Sequence, residues 1–282
     1  MSGTDCPGPA EIGVFGGSGF YSFLDHVTEV AVETPYGAPS GSIHLGTVGD
    51  RRVAFLPRHG PEHDLVPHRV NYRANLWAMR ELGVTRVLGP FAAGSLRPGI
   101  HPGDFVVCDQ FVDRTWGRPD TFHEGPTVHH VSAADPYCPE TSAVAVRTAR
   151  DVGITVHEGG TVVVIQGPRF STRAESRWFR NQGWHIVNMT QVPEAILARE
   201  LGICYSGIAL VTDYDTGVED VAGAGPVTQE EVFAFFEGNV HRVRDLRFGL
   251  IPALPATRAC SCATTVGPLS AETAGPLHAP VW

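Results

Sequence analysis

Short runs rich in Val and Ile alternate with amphipathic stretches along most of this chain, and that alternation limits its fold more than any other feature. Residues 11–15, 52–57, 86–90, 104–109, 161–166, 185–188 and 204–211 read as buried strands. Residues 71–82, 141–152, 174–182, 192–201 and 228–246 carry apolar side chains at helical spacing. Thr228, with Glu231 three residues on, reads as a capping box at the start of the last one. The alternation predicts an α/β fold, a single domain with a mixed, largely parallel central β-sheet flanked by helices. Strands apolar on both faces need such a cover on each side. From about Leu250 the pattern dissolves into Pro, Ala, Thr, Gly and Ser. The expected organisation is therefore an N-terminal extension over 1–10, one domain over 11–250 and an irregular tail over 251–282.

Composition removes several chemistries. All 21 basic residues are Arg, and there is no Lys. A P-loop NTPase, a protein kinase and a Schiff-base enzyme each need a Lys, so none of these fits. Any anion held by a side-chain cation is held by Arg or by charged His. A net charge of −9 argues against a nucleic-acid partner. No apolar run reaches the ~18 residues of a membrane span, and no signal peptide is read at the N-terminus. A cytoplasmic protein is expected. The six cysteines are Cys6, Cys108, Cys138, Cys204, Cys260 and Cys262. They lack paired C-x-x-C spacing, and no His follows at zinc-finger distance, so no structural zinc is expected.

Six short blocks carry candidate chemistry. Gly16-Gly17-Ser18-Gly19 follows the first strand, where glycines let backbone N–H groups approach an anion and Ser18 adds a hydroxyl. Arg58-His59-Gly60 follows the second, and the Arg fork suits a phosphate, with His59 as an added donor. Phe91-Ala92-Ala93-Gly94-Ser95-Leu96 follows the strand 86–90, with small residues that admit a ligand near the backbone. Gln166-Gly167-Pro168-Arg169-Phe170-Ser171 runs from strand towards helix, and Phe170 could stack on a flat ring. Asn188-Met189-Thr190-Gln191 opens a helix, where free N–H groups favour anions and Met189 offers an adaptable apolar surface. Thr212-Asp213-Tyr214-Asp215 ends the strand 204–211, where open α/β sheets bind ligands. One of its two carboxyls could stay protonated and donate to a ring nitrogen, while the other accepts from an amino group.

In this order and spacing the blocks resemble the 5′-methylthioadenosine phosphorylases of the purine nucleoside phosphorylase superfamily. The likeness runs from about Ile12 to Leu250 and takes in Thr34-Pro35-Tyr36-Gly37, residues 70–75 and residues 109–115. It implies that inorganic phosphate attacks C1′ of a nucleoside, releasing a free purine and a 5-substituted ribose 1-phosphate, with no cofactor and no metal. The positions matching the phosphate site are Ser18, Arg58, His59, the Ala92 backbone and Thr190. Asp213 matches the acid that protonates purine N7, with Asp215 and Thr212 orienting it and reading the 6-amino group. Phe170 and Ser171 match residues around the base, and Met189 lies under the ribose. An Asn in place of Asp213 would mark a 6-oxopurine enzyme, so Asp213 favours adenine. Adenosine, a 5′-halogenated adenosine and methylthioinosine or inosine are the alternative substrates. His130 matches a residue inserted into a neighbouring subunit's 5′ pocket, which implies a homotrimer or a hexamer.

Two departures stand against that pattern. Phe91 replaces a Thr whose hydroxyl assists phosphate, so the site has lost a hydrogen bond worth roughly 1.5–3 kcal/mol, or the ring turns away and a neighbour substitutes. The closing C-terminal helix that lines the 5′ pocket in many relatives has no counterpart after Leu250. The tail instead carries Cys260-Ser261-Cys262, resembling a C-x-C of some archaeal relatives. Free thiols are expected in a cytoplasmic setting, with disulfides among Cys138, Cys204, Cys260 and Cys262 as the alternative.

Overall fold

The structure is a computed structural model and describes residues 9–16, 25–125, 129–221 and 225–264. In chain order the elements are β1 (Ile12–Gly16), β2 (Asp25–Val30), β3 (Ile43–Val48), β4 (Arg51–Pro57) and α1 (Tyr72–Glu81). Next come β5 (Arg86–Ser95), β6 (Phe105–Val107), β7 (Gln110–Arg114), α2 (Pro139–Asp151), β8 (Val156–Glu158) and β9 (Thr161–Ile165). They are followed by α3 (Arg173–Asn181), β10 (Ile186–Asn188), α4 (Gln191–Glu200), β11 (Cys204–Tyr214) and α5 (Gln229–Ala253).

The strands form one mixed sheet with a main path β2-β3-β4-β1-β5-β10-β9-β7. β11 pairs β5, β6 pairs β11, and β8 pairs β6. Six of the ten pairings are parallel. The strand side chains alternate between two cores, as a period of two requires. In β1, Phe15 enters one core while Ile12 and Val14 enter the other. α1 and α4 cover the first through Leu76, Trp77, Ala195 and Leu197. α2 and α5 cover the second through Val144, Val146, Val243 and Leu246. α3 seals a third, smaller cluster with Phe179 against Val163 and Val187.

The helix ends follow local chemistry. Asn71 caps α1 by accepting from the Ala74 N–H at 3.3 Å. Thr172 and Glu175 make a reciprocal capping box on α3. At α5 the Thr228 hydroxyl accepts from the Glu231 N–H at 3.3 Å, but the Glu231 carboxylate takes the Thr228 hydroxyl at 2.8 Å. Thr228 is the cap expected there, while the second half of the box uses the hydroxyl in place of the backbone.

Three differences from the sequence reading matter for the site. The strand expected over 86–90 runs on to Ser95, and the one over 204–211 runs on to Tyr214. The small residues after Pro90 and the acidic pair after Val211 therefore lie on paired strands, not in loops. α5 also extends beyond 246 to Ala253, because Val243, Leu246, Leu250 and Ile251 stay buried at helical spacing and Pro252 comes only in its last turn.

Candidate active site

β5 is the spine of the site. Its whole length pairs with β11 on one side. On the other side it pairs with β1 over Arg86–Leu88 and with β10 over Gly94 and Ser95. Among the described strands none pairs that edge between, so the β5 backbone there is free to meet side chains. Arg58 Nη1 donates to the Pro90 carbonyl at 3.0 Å. Asn188 Nδ2 donates to the Ala92 carbonyl at 3.2 Å. Such a gap, where the partner of a strand changes, is where α/β sheets hold ligands.

At one end of this gap lie the anion-site candidates. Arg58 follows β4, and its N–H bonds the Gly16 carbonyl at the end of β1 at 3.0 Å, which fixes where the side chain enters. The guanidinium is buried and forks onto Glu194, Nε to Oε2 and Nη2 to Oε1, both at 2.7 Å. Burial works against its charge, but the Glu194 carboxylate more than offsets this and the Arg58 pKa is raised. Of five guanidinium N–H groups, two bind Glu194 and one binds Pro90, which leaves two for an anion.

His59 differs from expectation. Its Nδ1 lies 2.8 Å from the Leu65 carbonyl, which can only accept, so Nδ1 carries the proton. Burial, together with the Arg58 charge, pushes its pKa down to about 4. The ring is neutral near pH 7 and offers Nε2 as an acceptor, suited to a protonated phosphate oxygen, not as the extra donor expected.

The start of α4 also departs from the anticipated cradle. The Thr190 and Gln191 N–H groups both donate to Asn188 Oδ1, at 2.6 and 2.9 Å. Pro193 has no N–H to give. Thr190 therefore contributes its buried hydroxyl, and Asn188 ties it to the Ala92 carbonyl. Phe91 turns its ring into the core beneath α1 and α4, at 5% exposure. Ser18 lies outside the described residues.

At the other end stand the two carboxyls. β11 carries a bulge between Val211 and Asp213, with Thr212 as the extra residue opposite β5. A bulge re-aims the side chains that follow it. Thr212 Oγ1 lies 2.7 Å from Asp213 Oδ2 and 3.4 Å from the Ala93 carbonyl, so its single proton goes to Asp213. Burial raises the Asp213 pKa to about 6 against the pull of Thr212, and the Asp215 carboxylate adds to the rise. Asp215 is 2% exposed. Its pKa is also raised, by burial, while the Ser176 and Ser171 hydroxyls pull the other way. Its backbone N–H bonds the Ser95 carbonyl at 2.9 Å. Asp215 Oδ2 has no hydrogen-bond partner among the described residues. Buried carboxylate oxygens are rarely left so, and a ligand N–H would satisfy this one.

Phe170, Ser171 and Met189 are half-buried, and the Ser171 hydroxyl stands near Asp215. His130 is exposed.

A sequence model described as the phosphorylase superfamily matches residues 11–251. The chain belongs to that superfamily. It is 56% identical over 268 residues to a purine nucleoside phosphorylase of Streptomyces coelicolor, covering 92% of this chain and 95% of that one. It is 54% identical over 259 residues to an S-methyl-5′-thioadenosine phosphorylase of Mycolicibacterium smegmatis, covering 91% and 96%. A solved methylthioadenosine phosphorylase from an antarctic soil metagenomic library superposes with a TM-score of 0.87 at 38% identity, covering 95% and 97%.

Sequence reasoning missed the shell that holds this superfamily member's Arg58. Glu194 is fully buried on α4 and also accepts from the Tyr205 hydroxyl. Gln191 Nε2 donates to Tyr205 Oη at 3.0 Å, and Tyr137 Oη donates to Gln191 Oε1 at 3.1 Å. Gly89 makes room for Tyr205, since a Cβ there would fall 2.1 Å from the phenol oxygen. Arg118 was missed as well. It donates to the carbonyls of Gln166 and Met189 at 2.8 and 2.9 Å, and to that of Val192. One guanidinium thus pins the loops that carry Phe170 and Met189. Gln191 and Glu194 open the helix after the Asn188-Met189-Thr190 block and Tyr205 lies on a buried strand, but the sequence around each residue does not report the contacts it makes.

Proposed function

We propose that this protein uses inorganic phosphate to cleave the N-glycosidic bond of 5′-methylthioadenosine, yielding adenine and 5-methylthioribose 1-phosphate. One observation carries the reading. A carboxyl with a pKa near 6, Asp213, stands beside a buried carboxylate with a free oxygen, Asp215, along the same β5 segment that meets Arg58. The first group donates a proton to purine N7 as the bond breaks, and the second accepts from the 6-amino group. Positive charge builds on the ribose as the base departs, and a phosphate held by Arg58, His59 and Thr190 stabilises it. A 6-oxo group facing Asp215 would leave a buried acceptor unpaired, at a cost of about 1–3 kcal/mol, which favours adenine over hypoxanthine.

Phosphate is the co-substrate, and the chemistry calls for no cofactor and no metal. Ser18 completes the phosphate site, and His130 reaches the 5′ pocket of an adjacent subunit in a homotrimer. No described helix is long and apolar enough to cross a membrane. The enzyme works in the cytoplasm. The Mycolicibacterium relative supports the methylthio substrate by its name, whereas the Streptomyces relative supports a wider purine nucleoside range.

A panel of 5′-methylthioadenosine, adenosine, methylthioinosine and inosine, each with and without phosphate, tests the reading. Adenine release should require phosphate, and 5′-methylthioadenosine should show the highest kcat/KM. Release that is unchanged without phosphate overturns the proposal. A higher kcat/KM for adenosine replaces it with the wider reading.

A further inference from the structure

Far along β11 from its acidic end, four cysteines meet that the active site does not use. Cys138 caps α2, Cys204 opens β11, and Cys260 and Cys262 lie in the segment after α5. Their four Sγ atoms all lie within 4.8 Å of one another. Cys204 and Cys260 come within 3.3 Å. Cys138, Cys204 and Cys262 are buried, at 1%, 0% and 6% exposure, and Cys260 is half-buried.

We propose that Cys138, Cys204, Cys260 and Cys262 form a closed tetrathiolate site for a soft divalent cation, Zn2+. The sulfurs of a tetrahedral zinc site with Zn–S bonds of about 2.3 Å are separated by roughly 3.8 Å, between the 3.3 Å of Cys204–Cys260 and the 4.8 Å that bounds all four. They converge on one centre from three separate parts of the chain. The surroundings also suit thiolates. The Thr141 N–H and hydroxyl both point at Cys138 Sγ, at 3.5 and 3.4 Å, from the first turn of α2. Arg258 Nη1 lies 4.0 Å from Cys204 Sγ while bonding the Gly202 carbonyl at 2.8 Å. Four thiolates and one Zn2+ leave a charge of −2, which the Arg258 cation and the helix N-terminus partly offset. Loading is balanced: as each Zn–S bond forms from a thiol, one proton leaves to solvent, and no sulfur is oxidised or reduced.

The spacing of these cysteines excluded a structural zinc only because zinc motifs are read from one contiguous stretch. Here the ligands are 56 or more residues apart except for Cys260 and Cys262. The metal would staple the segment 254–264 to the beginnings of β11 and α2. Leu254 at its start packs into the second core, and polar contacts such as the Ala259 N–H to Glu140 Oε2 at 2.7 Å hold it further on.

The test is made on the full-length protein, purified with a phosphine reductant from zinc-supplemented cultures. Elemental analysis should find about one zinc per chain, and exchange with Co2+ should give the intense visible bands of a tetrahedral cobalt thiolate. A Cys260→Ser/Cys262→Ser variant should lose at least about nine-tenths of that zinc, while Cys108→Ala, outside the cluster, should keep it. Stripping zinc should lower the Tm without changing the secondary structure seen by circular dichroism. Wild-type protein with four reactive thiols and no zinc overturns the proposal. So does an intact mass four hydrogens light in a parallel sample alkylated at lysis and purified without reductant, which would mean two disulfides.

Discussion

The burial that keeps Asp213 able to donate a proton makes its ionised form cost stability. Its carboxyl titrates near 6 because it is buried against solvent beside Asp215, with only the Thr212 hydroxyl helping its charged form. Folded protein therefore holds this proton to a higher pH than unfolded chain does. Stability falls as pH rises from about 4, the unfolded value, and the loss is complete just above the folded value of about 6. A shift of about two units corresponds to about 3 kcal/mol for a side chain so far out of water. Asp213→Asn removes this titration without changing the shape. By calorimetry it should melt several degrees above wild type at pH 7.5, and the gap should close towards pH 4. The same variant should release adenine at least ~100-fold more slowly. The wild-type kcat/KM should fall as pH rises through about 6, and the variant's profile should be flat there. Wild-type turnover by the variant would show that another group protonates the leaving base.

At the scale of the element, β5 gathers the site because its free edge and its small residues let three side-chain systems touch one strand. Gly94 is where this strand packs closest against the carboxyl pair. A Cβ on it would fall 2.9 Å from Asp213 Oδ1 and 3.2 Å from Val187 Cγ1. Gly94→Ala should push the Asp213 carboxyl off its position, with kcat falling tenfold or more while the Tm moves little, because the fault is local. An unchanged kcat would show that the carboxyl can relax without loss. Much of this element was legible in the sequence, since strands such as β1 and β11, apolar on both faces, announce themselves. β2 was not: its run Asp25–Val30 is polar, almost wholly exposed, and sits at a sheet edge. β8 is only three residues long, and β3 and β7 mix His, Gly or Asp into their apolar pattern. The site divides in the same way. Residues at strand ends, such as Arg58, Thr190 and Asp213, fall in recognisable blocks. Glu194, Tyr205, Gln191 and Arg118 gain their roles only when β5, β11 and α4 are brought together, so no local pattern reports them. The same holds for the four cysteines.

At the scale of the whole molecule, the residue to test is His130, proposed for an adjacent subunit's 5′ pocket. His130 is exposed, yet the segment around it is held: Arg199 donates to the Ser132 carbonyl, and Gln110 Nε2 donates to the Ala134 carbonyl at 2.9 Å. Trp116 is also 67% exposed, on the strand-to-loop stretch after β7. An exposed His beside a held segment and an exposed indole suit a face that another copy covers. In a closed head-to-tail ring every copy would lend its His130 to the next copy's Asp213 site. Subunit mixing separates this arrangement from a His130 that acts within its own chain. Asp213→Asn chains keep His130 but lack the acid, and His130→Ala chains keep the acid but lack His130. After equal amounts are dissociated and reassembled, about one quarter of the sites should pair an intact Asp213 with an intact His130 from the neighbour. Adenine release from 5′-methylthioadenosine should then exceed the sum of the two variants alone and approach about a quarter of the wild-type rate. Activity equal to the simple sum, from a mixture that sedimentation shows to be reassembled, would confine His130 to its own subunit or to no catalytic role.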